Sequence, residues 1–252
     1  MMYQGALGYN NKPHGQGKKT YADGTVAEGH FEDGVLNGQG KKTFTDGCIK
    51  EGTFISSELV NGKVTRRPTP FETISIEAGV FKDGRLNGQG YKKFFDGRHE
   101  EGEYIEGDLN GQGQKTSPSG TVYEGTFGRG QLVDGKVVYF DGTICEGKFN
   151  TAGQLIKGTI LHPRGAMHEG VYKVARSGGK GKKTFVYGDT EEGEFIGGQL
   201  KNGRVTFSNG EVHEGTFKDG IMIGNGKSMI PLADGSVYEF KRHCLRRPTG
   251  TT

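Results

Sequence analysis

The sequence predicts an all-β protein, an elongated single-layer twisted antiparallel sheet of about ten tandem hairpin repeats. Three observations carry that expectation. Glycine supplies 47 of 252 residues, far above the roughly 7% of ordinary proteins. Much of it recurs at a period of 22 to 27 residues, which excludes collagen and points to a repeat array. Eight of the ten periods carry a Glu-Gly-X-aromatic signature and six close on an Asp-Gly or Asn-Gly pair, and between these marks no segment has the length or periodicity of a helix.

Taken in order, the units begin near residues 4, 28, 51, 78, 101, 124, 146, 169, 192 and 214, filling 1–240 and leaving a basic tail at 241–252. The signature reads Glu28-Gly29 to Phe31, Glu51-Gly52 to Phe54, Glu101-Gly102 to Tyr104 and Glu124-Gly125 to Phe127. It continues as Glu146-Gly147 to Phe149, Glu169-Gly170 to Tyr172, Glu192-Gly193 to Phe195 and Glu214-Gly215 to Phe217. Gln4-Gly5 with Leu7 and Ala78-Gly79 with Phe81 are weaker copies, and Glu239-Phe240 opens an eleventh unit of the kind that caps an edge.

Within a unit, alternation along a strand puts the residue two before the glycine, the glycine and the aromatic two after it on one face. A loop such as Glu32-Asp33-Gly34 follows, then a Leu seven residues after the glycine (Leu36, Leu59, Leu86, Leu109, Leu132, Leu200, with Met222 in the last unit). The second strand starts at a Gly-X-Gly and brings a basic residue and an aromatic onto one face: Gly17, Lys19 and Tyr21; Gly40, Lys42 and Phe44; Gly90, Lys92 and Phe94; Gly181, Lys183 and Phe185. Between units, Asp23-Gly24, Asp46-Gly47, Asp96-Gly97, Asp141-Gly142, Asn209-Gly210 and Asp234-Gly235 read as two-residue hairpin turns with positive φ. Pro118 and Pro163 sit beside the corresponding turns, where a missing N–H is harmless. Some twenty strands at about 4.8 Å each predict a ribbon on the order of 95 Å long. One unit departs: it runs 27 residues and has Arg66-Arg67-Pro68-Thr69-Pro70 in place of the Asp-Gly turn, a longer exposed loop or else a docking or modification site.

Chemistry is sparse. A P-loop reading of Gly38-Gln39-Gly40-Lys41-Lys42-Thr43 fails because a strand, not a helix N-terminus, follows. The Glu residues before the glycines recur once per unit, whereas an active site is a single place; they predict a cross-strand charge ladder with lysines such as Lys41 and Lys182. Seven histidines are scattered without metal-ligand spacing, and Cys48, Cys145 and Cys244 form no CxxC pair. No nucleophile motif occurs. No cofactor, no metal and no enzymatic activity are expected. The net charge of +3, with Glu interleaved among the lysines, argues against nucleic acid. No stretch is long and apolar enough for a membrane span and the first residues lack a signal-peptide core, so the expected location is cytoplasmic.

The binding surface is then expected on the aromatic face. Its candidates are Tyr21, Phe44, Phe94, Phe185, Phe31, Phe54, Tyr104, Tyr123, Phe127 and Tyr172 for a protein partner such as an acidic-apolar helix. Lys19, Lys42, Lys92, Lys115 and Lys183, with Lys241, Arg242, Arg246 and Arg247 of the tail, are the candidates for anionic contacts, including phospholipid headgroups.

The unit Glu-Gly-X-Phe, loop, Leu-X-Gly-X-Gly, strand, Asp-Gly resembles the MORN repeat (membrane occupation and recognition nexus) over nearly the whole chain. The resemblance implies a single-layered sheet that acts as a scaffold, binds proteins along a groove, and dimerises through terminal repeats. It places the protein in a cytoskeletal or membrane-associated assembly, at the cytoskeleton or the inner face of a membrane; the alternative is a phospholipid-binding module using the lysines. The chain departs from the family pattern in having no Trp. It keeps Tyr two before the glycine only at Tyr123 and Tyr238, the place otherwise holding Ala27, Lys50, Glu100, Cys145, His168, Glu191 and His213.

Overall fold

The computed structural model describes residues 2–70, 73–172 and 179–242. Arg246 and Arg247 of the basic tail lie outside the described residues, as does the side chain of Arg242. The described residues contain no helix, and their 21 strands belong to one antiparallel sheet. The chain divides into two compact units, Met1–Val133 and Asp134–Thr252.

The first unit holds β1 (Met2–Leu7), β2 (Pro13–Thr20), β3 (Val26–Glu32), β4 (Val35–Thr43), β5 (Ile49–Ile55), β6 (Glu58–Thr65), β7 (Ile74–Lys82), β8 (Arg85–Phe94), β9 (His99–Ile105), β10 (Asp108–Thr116) and β11 (Val122–Gly128), with the start of β12 (Gln131–Val138). From β1 to β11 each strand pairs with its neighbours in sequence. The second unit continues through β13 (Ile144–Phe149), β14 (Leu155–Leu161), β15 (Met167–Val171), β16 (Gly179–Thr184), β17 (Thr190–Ile196), β18 (Gln199–Thr206), β19 (Val212–Lys218), β20 (Ile221–Pro231) and β21 (Val237–Arg242), again paired in sequence order. The sheet is therefore a succession of hairpins without crossovers.

Glycine sets the registry. In the first unit Gly17 stands opposite Gly29, Gly29 opposite Gly40, and Gly40 opposite Gly52; in the second, Gly147 stands opposite Gly158 and Gly193 opposite Gly203. At Gly29 the backbone takes φ +142 and a Cβ would run into the Gln39 carbonyl and Gly40 Cα, so the line of glycines is a place where neighbouring strands press together. Beside it, on the aromatic side, registry slips: Gly29 pairs with Gly40 but Phe31 pairs with Leu36, and the same break separates Gly102–Gly113 from Tyr104–Leu109. These bulges bend the strand.

The bent hairpin end folds back over the preceding hairpin. Gly34 N–H donates to the Pro13 carbonyl, Ser57 N–H to Leu36, Gly107 N–H to Leu86 and Gly130 N–H to Leu109, all at 2.8–2.9 Å. This stacking gives a sheet without a second layer its core. Phe31, Leu36, Phe54, Leu59, Phe81, Leu86, Tyr104 and Leu109 are buried in the first unit, and Phe149, Leu200 and Phe217 in the second. Leu36 and Leu109 reach over Gly40 and Gly113, where a Cβ would lie 2.9 and 3.0 Å from their methyl carbons.

The turns correct the sequence reading. The Asp-Gly pairs between units are three-residue loops: Tyr21 N–H donates to the Thr25 carbonyl, Gly24 N–H to Tyr21, and only Gly24 has positive φ. The aspartate is there for another reason, since its carboxylate accepts the N–H two residues on, as Asp23 does from Thr25 and Asp141 from Thr143. Two-residue turns with both positions at positive φ occur instead inside the units, at Asp33-Gly34, Ser56-Ser57, Asp83-Gly84, Glu106-Gly107, Arg129-Gly130 and Asp219-Gly220. The 66–70 loop is exposed from Arg67 to Pro70, but Arg66 turns inward and pairs with Glu77 at 2.6 Å.

Candidate partner-binding face

The two faces of the sheet carry different chemistry. On one, the Glu column meets the lysines: Glu28 stands opposite Lys18 and Lys41, Lys41 opposite Glu51, and Lys182 opposite Glu169 and Glu192. Lys18 and Glu28 are 2.6 Å apart, and Lys18 holds the Glu28 carboxyl below its ordinary pKa. Such half-exposed pairs are worth ~0–1 kcal/mol and favour register and solubility. Lys241 lies on this ladder face, opposite Lys227, and so apart from the other candidate lysines.

The aromatic face carries one cross-strand row per unit. In the first it runs Lys19, Ala27, Lys42, Lys50, Val64, Glu77, Lys92, Glu100, Lys115 and Tyr123. Its lysines hold the folded-back turns. Lys19 Nζ donates to the Gly34 carbonyl at 2.6 Å, Lys42 Nζ to Ser57 and Lys92 Nζ to Gly107. Lys42 and Lys92 also lie over the rings of Phe54 and Tyr104, 5.7 and 5.4 Å from the centroids. Burial, with Lys50 alongside, lowers the Lys42 pKa. Glu77, missing from the candidates, ties this row together: it pairs with Arg66 and with Lys92 at 3.4 Å, while Lys115 pairs with Glu100 at 3.4 Å. Glu77 holds the place two before Gly79 in the weakest copy of the signature, so only its position could have marked it.

Of the candidate aromatics, Phe31, Phe54, Tyr104 and Phe127 are buried in the stack, and Tyr21, Phe44, Phe94, Tyr123, Tyr172 and Phe185 are half-buried. Burial raises the Tyr104 pKa strongly, with Glu100 next in effect.

In the second unit the row is less charged: Val137, Cys145, Ile160, His168, Lys183, Glu191, Val205, His213, Ser228 and Phe240. Seven residues after Gly170 the sequence has Ser177 where most units have Leu, a position outside the described residues. A cavity of about 200 Å³ lies over Gly181, lined by Ile160, His168, Tyr172, Lys183 and Phe195, with Glu169 and Lys182 also reaching it. Desolvation lowers the His168 pKa to about 4, with Lys183 and His162 adding to it, and raises Tyr172 to about 12. Tyr172 hydroxyl donates to the His168 carbonyl at 3.1 Å, and the His162 ring meets His168 edge-on at 5.1 Å. Next along the row, a groove of about 260 Å³ is lined by Phe185, Glu191, Val205, Phe207, His213 and others, and burial raises the Glu191 pKa against the pull of Lys183. The cavity is below the ~300–1,000 Å³ of drug-sized ligand sites and suits an apolar side chain. Among the described residues no group of three or more His, Cys, Asp or Glu is placed to hold a metal ion.

Comparison with known proteins adds the repeat family. The MORN repeat model matches residues 3–26, 28–49, 78–97 and 101–122. No curated protein matches the chain. Among solved structures, the SAS-4 (dCPAP) TCP domain in complex with a proline rich motif of Ana2 (dSTIL) of Drosophila melanogaster is 11% identical, over 89% of this chain and 88% of that one, with a TM-score of 0.25. So loose a superposition carries no argument here.

Proposed function

From a chain that carries MORN repeats, we propose a non-enzymatic scaffold that binds a protein partner on the aromatic face of its second unit. One observation carries the reading: the cavity over Gly181, lined by Ile160, Tyr172 and Phe195 together with Lys180, Lys182 and Lys183. A partner filling that space gains roughly 25 cal/mol per Å² of apolar surface removed from water. Lysine beside it favours an occupant whose apolar anchor is flanked by Asp or Glu, as in an acidic-apolar helix. Assembly at the cytoskeleton or on a membrane surface, and pairing of two copies, belong to the same scaffold reading.

The lysine row supports the lipid alternative less well, because Lys19, Lys42 and Lys92 already donate to turn carbonyls. Selection from a displayed peptide library tests the proposal. Enrichment of acidic peptides with an apolar anchor, lost with Lys183→Glu and kept with Arg204→Glu on the ladder face, is the expected result. Peptides that bind both variants alike, or no enrichment together with sedimentation on anionic vesicles at low salt, would replace it with the lipid reading.

A further inference from the structure

The chain has two hydroxyl residues followed by proline, Thr69-Pro70 and Ser117-Pro118, and the fold treats them differently. Ser117 is locked into one of the three-residue turns. Its N–H donates to the Thr121 carbonyl, Gly120 N–H donates back to Ser117, and its hydroxyl accepts the Thr121 N–H at 3.1 Å while meeting Ser119 Oγ at 2.8 Å. Thr69 lies in the loop that replaces such a turn. Arg66 N–H, donating to the Ser75 carbonyl at 2.9 Å, anchors that loop at its base, and Arg67, Pro68, Thr69 and Pro70 are exposed and outside any strand. Arg67 and Thr69 each precede a proline, which biases both to extended backbone. A kinase cleft takes an extended segment, and a proline after the acceptor, having no N–H to satisfy, is what a proline-directed kinase reads.

We propose that Thr69 is a phosphorylation site for a proline-directed protein kinase and that Ser117 is not. In the transfer, the Thr69 hydroxyl proton passes to the kinase base. An Oγ1–P bond forms to the γ-phosphorus of ATP as its bond to the β,γ-bridging oxygen breaks, and ADP leaves. The product adds a charge of about −1.5 to −2 within three residues of two guanidinium groups. Arg67 lies across Gly47, where a Cβ would collide with its side chain. Arg66 is held by the buried carboxylate of Glu77, which Lys92 shares. A phosphate on Thr69 competes for Arg66, so the modification reaches the charged row on the aromatic face of the first unit through one ion pair.

Incubation of the full chain with Mg-ATP and a purified proline-directed kinase, followed by peptide mapping, tests this. One phosphate on Thr69 and none on Ser117 is expected, abolished by Thr69→Ala, unaffected by Ser117→Ala and reduced at least tenfold by Pro70→Ala. The sequence Arg-Arg-Pro-Thr recurs at 246–249 but is followed by Gly250. Equal incorporation at Thr249 would mean that arginines are read instead, and would overturn the proposal. So would incorporation at Ser117, or an unmodified chain when a free peptide of residues 62–75 is phosphorylated. Failure of both chain and peptide would show that the segment is no substrate for this kinase class. None of these outcomes depends on partner binding at the second unit.

Discussion

His168 is half-buried between Ile160 and Lys183 in the row, and its pKa falls from the ordinary 6.5 to about 4. Between those values the unfolded chain holds the proton and the folded chain does not, so stability rises with pH across the interval. The contribution is complete above the ordinary value and is lost as pH falls toward 4. Glu191 acts with opposite sign, since its raised pKa lets the folded state hold more proton above the ordinary carboxylate value. A variant isolates the histidine: urea denaturation at pH 7 and pH 5 should show His168→Leu gaining on the parent protein at the lower pH. A parent-to-variant difference independent of pH would contradict the burial of a neutral imidazole. Glu77 supports a second prediction. Its carboxylate is shared by Arg66 and Lys92, and removing one partner from a buried ionic cluster costs ~3–5 kcal/mol. Glu77→Ala should lower the unfolding free energy by that order, whereas Glu124→Ala, exposed on the ladder face, should change it by less than ~1 kcal/mol. The columns of Glu, Lys and aromatic residues are legible in sequence because alternation fixes which side chains share a face. What each lysine donates to is not legible, because Gly34, Ser57 and Gly107 are reached through the folded-back turn of the next hairpin.

The hairpin β3–β4 shows the four parts: a glycine pair, a bulge, a two-residue turn and a leucine. The glycines and leucines announce themselves by period. The bulges leave only a trace, in the spacing from the first glycine to its partner, which differs by one residue between Gly29–Gly40 and Gly52–Gly62. Asp-Gly misleads because both turn classes use it. In the three-residue loops the glycine alone takes positive φ, while at Asp33-Gly34 the aspartate does so as well, with φ 49. Leucine closes the hairpin, and its removal tests the stacking. Leu36 is fully buried against Phe31 and over Gly40, so Leu36→Ala should cost ~2–5 kcal/mol. Gly52→Ala should also destabilise: φ is +146 and the new methyl meets the Asn61 carbonyl and the Gly62 backbone, which cannot yield as a side chain can. Strain of that kind costs ~1–3 kcal/mol before any displacement of the neighbouring strand. Equilibrium unfolding of the two variants reads both costs; a change under ~0.5 kcal/mol in either would contradict the packing described for its hairpin.

At the scale of the molecule, a repeat that closes itself leaves little for a partner. The first unit uses its lysines on turns and its aromatics in the core, and its row is ionic; the second has a cavity over Gly181. Sequence has Ser177 in a column of leucines, but that position lies outside the described residues, and the cavity itself is not legible from it. In the proposed function a protein partner enters at that place and on that face. Site-specific photocrosslinking tests this, with a benzophenone side chain placed at Phe185 on the aromatic face or at Arg204 on the ladder face, in separate full-length proteins within the native cell. A discrete protein adduct is expected from the Phe185 position, diminished by Lys183→Glu and absent from the Arg204 position. Adducts of equal yield from both faces, or adducts with lipid alone, would contradict it.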